Sequence, residues 1–220
     1  MKLKIYIFRH GQTTYNKKNI FTGWKDPKLT NLGIRQAEII AKKLKNKKFE
    51  IAFYTHLTRS KQTLKKVLKY HPECKRLIED DRMIERSYGD LSGKSHKSFI
   101  KKIGKRQYNL LKEGDAIENL NQELRLEIKQ FLGKIEYDLI HRGYKIPPPN
   151  GESFYMVEKR VKEFIKDLKK LMKKEKVNVA ISAHGNSIRL FRKIMEKSSV
   201  KKMSKWFIPY DDYYEYTINA

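Results

Sequence analysis

Two short apolar segments of this 220-residue chain each end in a histidine followed by a glycine. Residues 3–8 lead into Arg9, His10 and Gly11, and residues 177–183 lead into His184 and Gly185. Both segments are rich in β-branched or aromatic residues, a composition typical of buried strands. Because open α/β sheets bind ligands at the carboxyl ends of their strands, we expect the two histidines to meet at one site.

The residue types at these strand ends favour a phosphate site. An arginine presents a rigid fork of donors that suits phosphate, and a neutral histidine with one free ring nitrogen can accept a phosphoryl group. Glycine lets the backbone turn sharply and approach a ligand closely. An ordinary strand end with a surface histidine is the alternative for either segment alone. The repetition favours a site in which one histidine is the nucleophile and the other binds phosphate.

Strand and helix patterns alternate along the chain, which predicts a three-layer α/β/α fold with a mainly parallel central sheet. Further strands are predicted over residues 49–54 and 213–218, with a short edge strand over 74–79. Thr30 resembles the N-cap of a helix that ends near residue 46, and a core-facing helix is predicted from Phe154 to Leu171. The segment 94–145 is predicted to be mainly helical, and one apolar face comprises Leu120, Leu124, Ile128 and Phe131. We expect a single domain over 1–220 with a helical cap inserted at about 94–150.

The charge balance is strongly basic, with 50 Lys and Arg against 25 Asp and Glu and a formal net charge of +25. This excess predicts a positive field that attracts anionic substrates. A specific nucleic-acid reader is not expected, because no recognised module is evident. The single cysteine, Cys74, allows no internal disulfide and is compatible with a reducing compartment. No close cluster of Cys and His suggests a metal, and no leader or membrane span is evident. We therefore expect a cytoplasmic protein without a metal; a homo-oligomer stays open.

The ordered motifs resemble the histidine phosphatase superfamily and, within it, the cofactor-dependent phosphoglycerate mutases. The matching residues are Arg9-His10-Gly11 with Asn16, Phe21-Thr22-Gly23-Trp24, Leu57-Thr58-Arg59 with Thr63, Glu85-Arg86-Ser87-Tyr88-Gly89, Gly151-Glu152-Ser153 and Ala183-His184-Gly185-Asn186-Ser187-Ile188-Arg189. They occur in the family's order from the first strand almost to the C-terminus.

This resemblance implies roles for several of the matched residues. His10 would be the nucleophile, and Glu85 would be the general acid and base, because the negative charge of a nearby phosphate favours a protonated carboxyl. The ligands of the transferred phosphoryl group would be Arg9, Arg59 and His184. The substrate-binding residues would be Asn16, Thr22, Gly23, Arg86, Tyr88, Gly185 and Asn186. The resemblance also implies 2,3-bisphosphoglycerate as a phosphoryl primer, no metal, and a place in glycolysis and gluconeogenesis.

The chain departs from the mutase pattern in the cap and near the C-terminus. His96 stands where the mutases carry a lysine, and ungapped counting places Lys112 and Glu113 at a pair of adjacent arginines. Candidate replacements for that pair are Lys105, Arg106, Arg125 and Arg142. The mutases also carry a glycine-containing turn after the Ile-Pro pair, whereas here Tyr210 follows it.

Three functions are therefore carried forward. The segment 21–24 and the long match around His184 favour a phosphoglycerate mutase that interconverts 3-phosphoglycerate and 2-phosphoglycerate. The altered cap favours a phosphatase that acts on small phosphate esters. A non-catalytic protein that binds phosphorylated ligands is the third alternative, and the intact chemical positions disfavour it.

Overall fold

The computed structural model describes residues 1–113 and 120–219. Its centre is one sheet of five strands, namely β1 (Lys2–Arg9), β2 (Ile51–Tyr54), β3 (Arg76–Glu79), β4 (Val179–Ala183) and β5 (Tyr213–Asn219). Their order is β3-β2-β4-β1-β5. Strands β1, β2, β3 and β4 run parallel to one another, and β5 runs antiparallel to β1. The prediction of a mainly parallel sheet is confirmed.

Helices connect the parallel strands and cover both faces of the sheet. They are α1 (Thr14–Lys17), α2 (Asn31–Leu44), α3 (Thr58–Leu68), α4 (His96–Glu113), α5 (Gln122–Arg142), α6 (Phe154–Glu175), α7 (Gly185–Met195) and α8 (Val200–Ser204). Helices α2 and α3 pack on one face, and α6 and α7 pack on the other. The chain therefore has the three-layer α/β/α fold that the sequence predicts.

Strand β1 lies between the two cores because its side chains alternate. Ile5 and Ile7 join the core under α6 and α7, whereas Tyr6 and Phe8 join the core under α2 and α3. Fully burying an apolar side chain of this size contributes roughly 1.5–3 kcal/mol, so both cores anchor the strand. The strand is thus a rigid base for the residues that follow it.

The register of β1 and β4 places the two strand-end histidines side by side. Arg9 pairs with Ala183, and the N–H of His10 donates to the carbonyl of Ala183 at 3.1 Å. His184 follows Ala183 directly, at the N-terminal end of α7. The parallel pairing therefore brings both histidines to one edge of the sheet.

Helices α4 and α5 run along one another in opposite directions. His96 contacts Tyr137 near one end of the pair, and Tyr108 contacts Lys129 towards the other. The helix axes approach closely at Gly104, where a Cβ would collide with the carbonyl of Lys129. This pair covers the carboxyl edge of the sheet on one side of the histidines.

The apolar face predicted within the segment 94–145 does not lie in a core. Leu124 and Phe131 are 43% and 65% exposed, and Ile128 is only partly buried. The stripe from Phe154 to Leu168 on α6, in contrast, is buried against the sheet, so its core-facing prediction is confirmed. Across the described residues, no helix combines the length and the apolar character needed to cross a bilayer.

Candidate active site

A cavity of about 330 Å³ opens at the edge of the sheet where β1 and β4 end. Its wall combines the loops after β1 and before α7 with the ends of α4 and α5. Most of the predicted site residues lie on this wall: Arg9, His10, Asn16, Thr22, Arg59, Glu85, Tyr88, Gly185 and Asn186.

His10 is buried and held in one tautomer. Its Nδ1 lies 2.7 Å from the carbonyl oxygen of Gly11, and because a carbonyl only accepts, Nδ1 carries the proton. None of the described residues hydrogen-bonds Nε2, which keeps its lone pair. Burial and the positive charges of Arg59 and Arg9 lower the pKa of His10 well below the ordinary 6.5. The ring is therefore neutral and has one nitrogen free.

His184 stands behind the cavity wall, beside His10. The centroids of the two rings are 5.1 Å apart, and Nε2 of His184 lies 2.8 Å from Oγ1 of Thr55. Its Nδ1 is buried and has no partner among the described residues. Burial, then the charge of Arg59, lower the pKa of His184 well below its ordinary value. This ring is also neutral, with one ring nitrogen unsatisfied.

Arg9 is fixed against the C-terminal segment. Its Nη1 donates to the carbonyl of Ile208 at 3.0 Å, and its Cζ lies 3.9 Å from the centre of the Tyr210 ring. A Cβ added at Gly185 would lie 3.2 Å from the same Cζ, so a larger residue there would press on the guanidinium. The cation–π contact and the hydrogen bond together hold the guanidinium at the cavity.

Arg59 lies in the first turn of α3, as the sequence predicts, and it also supports the loop of residues 22–26. It is 1% exposed, and its Nη1 and Nη2 donate to the carbonyls of Lys25 at 2.7 Å and Gly23 at 2.8 Å. Burial lowers the pKa of Arg59 to about 10, which leaves it charged at neutral pH. Its Nε is buried and has no partner within the described part of the chain.

Glu85 has one anchored and one open carboxylate oxygen. Its Oε1 accepts the backbone N–H groups of Arg86 at 2.8 Å and Asn186 at 3.1 Å, so the first turn of α7 fixes the carboxylate. Its Oε2 accepts no hydrogen bond from the described residues. The indole of Trp24 donates to the backbone carbonyl of Glu85 at 2.8 Å, which ties the two loops together.

Glu152, which belongs to one of the matched motifs, holds the Glu85 loop from behind. Its carboxylate accepts the N–H of Ser87 at 2.9 Å and pairs with Arg160. The guanidinium of Arg160 also donates to the carbonyls of Ile84 and Glu85. The loop is therefore positioned by one ion pair below the cavity.

Two residues predicted to bind substrate lie away from the cavity wall. Arg86 is fully buried, with its guanidinium between the rings of Tyr88 and Phe154, and its Nη1 donates to the carbonyl of Ile140 at 3.1 Å. Gly23 has φ +51° and offers its carbonyl to Arg59. Both residues hold neighbouring wall segments in place, and their contacts with the substrate stay a prediction.

The cap contributes aromatic and imidazole groups to the cavity. His96, Tyr137 and His141 line it, and the hydroxyl of Tyr137 lies 3.1 Å from Nδ1 of His96. Burial lowers the pKa of His96, and burial with the charges of Arg142 and Arg86 lowers the pKa of His141 to about 2. Where the mutases have a lysine, this chain therefore has a neutral ring.

Arg142 is the proposed cap replacement that reaches the cavity. It lies at the end of α5, and its Nη1 is 3.4 Å from the carbonyl of Ser204. Lys105 lines a different groove, between α4 and α5, and Arg106 and Arg125 do not line the cavity. The side chains of Lys112 and Glu113 lie outside the described residues.

Several residues of the cavity were not predicted as site residues. Tyr210 marked a departure from the mutases, and the structure places its ring beside Arg9 and His10. Arg189 occurs within a matched motif, and its Nη1 donates to Oδ1 of Asn186 at 2.6 Å. The motif spacing was an available signal for Arg189. None was available for Tyr137 or His141, because the helix pairing alone brings them to the site.

Within residues 1–113 and 120–219, no group of three or more His, Cys, Asp or Glu side chains could hold a metal ion. The positive charges that line the cavity come instead from arginines.

The fold is that of the phosphoglycerate mutase and histidine phosphatase class. The family model of the histidine phosphatase superfamily (branch 1) matches residues 5–130 and 111–219. This chain belongs to that superfamily, and it is an enzyme of the phosphoglycerate mutase or phosphatase type.

Known proteins of both types are similar to the chain. The 2,3-bisphosphoglycerate-dependent phosphoglycerate mutase of Parvibaculum lavamentivorans is 33% identical over 204 residues, which cover 90% of this chain and 82% of that protein. The phosphoglycerate mutase of Bacillus anthracis matches in structure with a TM-score of 0.63 at 20% identity, over 89% and 81% of the two chains. The alpha-ribazole phosphatase of Shigella flexneri matches with a TM-score of 0.71 at 20% identity, over 99% and 91%. At these identities the two structures show a shared fold.

Proposed function

We propose that this protein is a phosphoglycerate mutase that interconverts 3-phosphoglycerate and 2-phosphoglycerate through a phosphohistidine, with 2,3-bisphosphoglycerate as the primer. The identity to a mutase over most of the chain supports this choice. The charge distribution in the cavity is the observation that carries it.

Four arginines line the cavity, and Glu85 is the one carboxylate on the wall among the described residues. Arg9 and Arg59 lie beside His10, whereas Arg142 and Arg189 belong to α5 and α7. Burial and the charges of Arg142 and Arg9 lower the pKa of Arg189 to about 10, which reflects the crowding of these cations. A ligand with a second anionic group would relieve this repulsion, and a phosphorylated acid has both a phosphate and a carboxylate.

In the proposed cycle, the primer first phosphorylates His10. Nε2 attacks phosphorus, the bond from phosphorus to the ester oxygen breaks, and Glu85 gives a proton to the leaving oxygen. The phosphohistidine then passes its phosphoryl group to the free hydroxyl of bound 3-phosphoglycerate, while Glu85 takes the hydroxyl proton. The 3-phosphoryl group of the resulting bisphosphate then returns to His10 as its bond to the 3-oxygen breaks. Glu85 gives its proton back to that oxygen, and 2-phosphoglycerate is released.

Three neighbours would stabilise the transferring phosphoryl group. Arg59 and Arg9 supply positive charge that acts on His10, and Nδ1 of His184 is a buried group that has no partner among the described residues. In the tautomer whose Nε2 accepts from Thr55, Nδ1 of His184 carries the proton. A phosphoryl oxygen near the two rings would then accept a hydrogen bond from Nδ1. We assign Asn16, Thr22, Tyr88, Gly185 and Asn186 to substrate binding because they lie on the same wall.

A phosphatase is the second candidate, and the cap favours it. His96 and His141 have lowered pKa values and bring no positive charge for a substrate carboxylate. The first step would be the same, but Glu85 would then deprotonate water, and inorganic phosphate would leave His10.

Both candidates require a phosphohistidine, so trapping it separates an enzyme from a protein that only binds phosphate. Incubation with labelled 2,3-bisphosphoglycerate should give an acid-labile, base-stable adduct on His10, and His10→Asn should abolish it. His56→Asn is the matched control, because His56 pairs with Asp81 outside the cavity. Labelling that persists in His10→Asn, or no labelling of the native protein, would overturn the assignment.

A further inference from the structure

The outer face of α5 carries an apolar stripe that the described residues do not cover. Leu124, Phe131 and Ile135 are 43%, 65% and 42% exposed, and Ile128 between them is partly buried. Steps of four, three and four residues place these side chains on one side of the helix. The opposite side packs on α4, where a Cβ on Gly133 would collide with the backbone. The stripe therefore contributes nothing to the packing of α5 against α4.

The spacing of the stripe is that of a coiled-coil seam. Leu124, Ile128, Phe131 and Ile135 occupy the d, a, d and a positions of two heptads. The next d position is Asp138, which ends the apolar pattern. The seam is thus complete within α5 and has four positions.

We propose that α5 pairs in antiparallel orientation with α5 of a second copy of this chain, about a two-fold axis. In an antiparallel seam, d residues of one helix pack with a residues of the other. Leu124 then faces Ile135 of the second copy, and Ile128 faces Phe131. Each contact occurs twice, because a two-fold interface is self-complementary.

The charges beside the stripe select this orientation. Glu127 and Lys134 both stand at g positions, and an antiparallel seam places g opposite g. Glu127 of each copy then lies opposite Lys134 of the other. A parallel pair would place these charges opposite Leu132 and Leu139 at the e positions. The contact of Lys134 with Asp138 on its own helix, at 3.2 Å, is exposed and leaves the ammonium other donors.

The carboxylates beside the stripe disfavour an anionic membrane as the occupant. Glu127 lies beside the stripe and Asp138 at its end, and a negatively charged lipid surface repels carboxylates. A second copy offers both signs of charge at matching positions, so the seam fits a protein surface that repeats its own pattern.

The size of the seam predicts a reversible dimer. At about 1.5 Å per residue, the distance from Leu124 to Ile135 is about 17 Å, so the interface is at the low end of specific protein interfaces. We expect self-association from micromolar to submillimolar protein concentration. This assembly does not depend on which reaction the cavity catalyses.

Two single charge reversals test the geometry in the full-length protein. In Glu127→Lys alone, both flanking pairs of a homodimer become Lys opposite Lys, and in Lys134→Glu alone both become Glu opposite Glu. When the two variants are mixed, the heterodimer regains two opposite-charge pairs. Sedimentation velocity should therefore show weakened self-association of each variant and preferred association of the mixture. No preference for the mixture would overturn the antiparallel arrangement.

A second experiment tests the stripe itself. Phe131→Glu should weaken self-association at least about tenfold, as is typical for central interface aromatics. Leu32→Glu is the matched control, since Leu32 is 43% exposed on α2, and it should leave the dimer unchanged. Circular dichroism is the check that both variants are folded. A native protein that stays monomeric at submillimolar concentration, or a dimer that survives Phe131→Glu, would overturn the proposal.

Discussion

Arg160 and Glu152 form a two-point ion pair behind the candidate active site. Nε of Arg160 lies 3.0 Å from Oε1 of Glu152, and Nη2 lies 2.9 Å from Oε2. The same guanidinium donates to the backbone carbonyls of Arg82, Ile84 and Glu85 at 2.8, 2.9 and 3.2 Å. One side chain thus fixes the backbone on which the candidate acid and base is carried.

Arg160→Lys should lower both stability and turnover. A lysine cannot reproduce the planar fork, and each lost charge-assisted hydrogen bond costs about 1.5–3 kcal/mol. A shift of Glu85 by about 1 Å would reduce the turnover number by up to about 100-fold. Urea denaturation and steady-state kinetics measure the two effects. The control Arg76→Lys alters an exposed pair with Glu175 and should cost less than about 1 kcal/mol. Equal effects of the two variants would remove the positioning role of Arg160.

Arg142→Gln should weaken binding of a phosphorylated acid more than binding of a simple phosphate ester. If Arg142 binds the substrate carboxylate, KM for 3-phosphoglycerate should rise about tenfold. The corresponding loss of binding free energy is at the low end for a hydrogen bond to a charged group, because Arg142 is exposed. Hydrolysis of an ester that lacks a carboxylate should change little. Lys145→Gln, three residues beyond Arg142 and outside the cavity wall, is the control. Equal losses on both substrates would mean that Arg142 does not recognise the carboxylate.

Mild acid should destabilise the fold, because His10, His184 and His141 are neutral in it. Burial is the main cause of each lowered pKa. The charge of Arg59 lowers the pKa values of His10 and His184 further, and the charge of Arg142 lowers the pKa of His141 further. Once unfolded, each ring regains a pKa near 6.5, so the unfolded chain binds more protons below that pH. Stability therefore rises with pH through this range, by up to about 1.4 kcal/mol per pH unit for each histidine.

Urea denaturation between about pH 7.5 and pH 5.5 measures this slope. His141→Phe keeps an aromatic ring beside Tyr88 and Tyr137 and removes one titrating group. It should therefore reduce the slope by up to about 1.4 kcal/mol per pH unit, the contribution of one proton. A free energy of unfolding that is flat or rises as the pH falls would contradict the neutral state of these rings.

A chelator should leave the activity unchanged. The proposed phosphoryl transfer draws its positive charge from Arg9 and Arg59, so no step requires a divalent ion. The measurement is turnover before and after extended treatment with EDTA. Strong inhibition that added magnesium or zinc reverses would contradict this prediction.

Local sequence signals predicted the elements that position the candidate nucleophile. The N-cap prediction at Thr30 is confirmed by its side chain, which accepts the N–H of Gly33. The apolar runs before His10 and His184 form the adjacent parallel strands β1 and β4, because their hydrophobic patterns and glycine turns are local properties of the chain.

The remaining features depend on contacts between distant segments. The sequence indicated an apolar face around Phe131, but it did not indicate that this face would be exposed. Periodicity reveals an apolar face and not the surface against which the face packs. Arg86 matches a substrate-binding position, yet the rings of Tyr88 and Phe154 enclose it. Tyr210 reaches Arg9 only because β5 returns beside β1.

The conversion of 3-phosphoglycerate to 2-phosphoglycerate by purified protein tests the central proposal most directly. Phosphorus NMR follows both esters and inorganic phosphate in one sample, with and without 2,3-bisphosphoglycerate. We expect interconversion that depends on the primer. We also expect a release of inorganic phosphate that is slower than the interconversion, and this side reaction occurs because neutral rings replace cations in the cap. Release of phosphate from simple esters without any isomerisation in the presence of the primer would contradict the mutase and leave the phosphatase in its place.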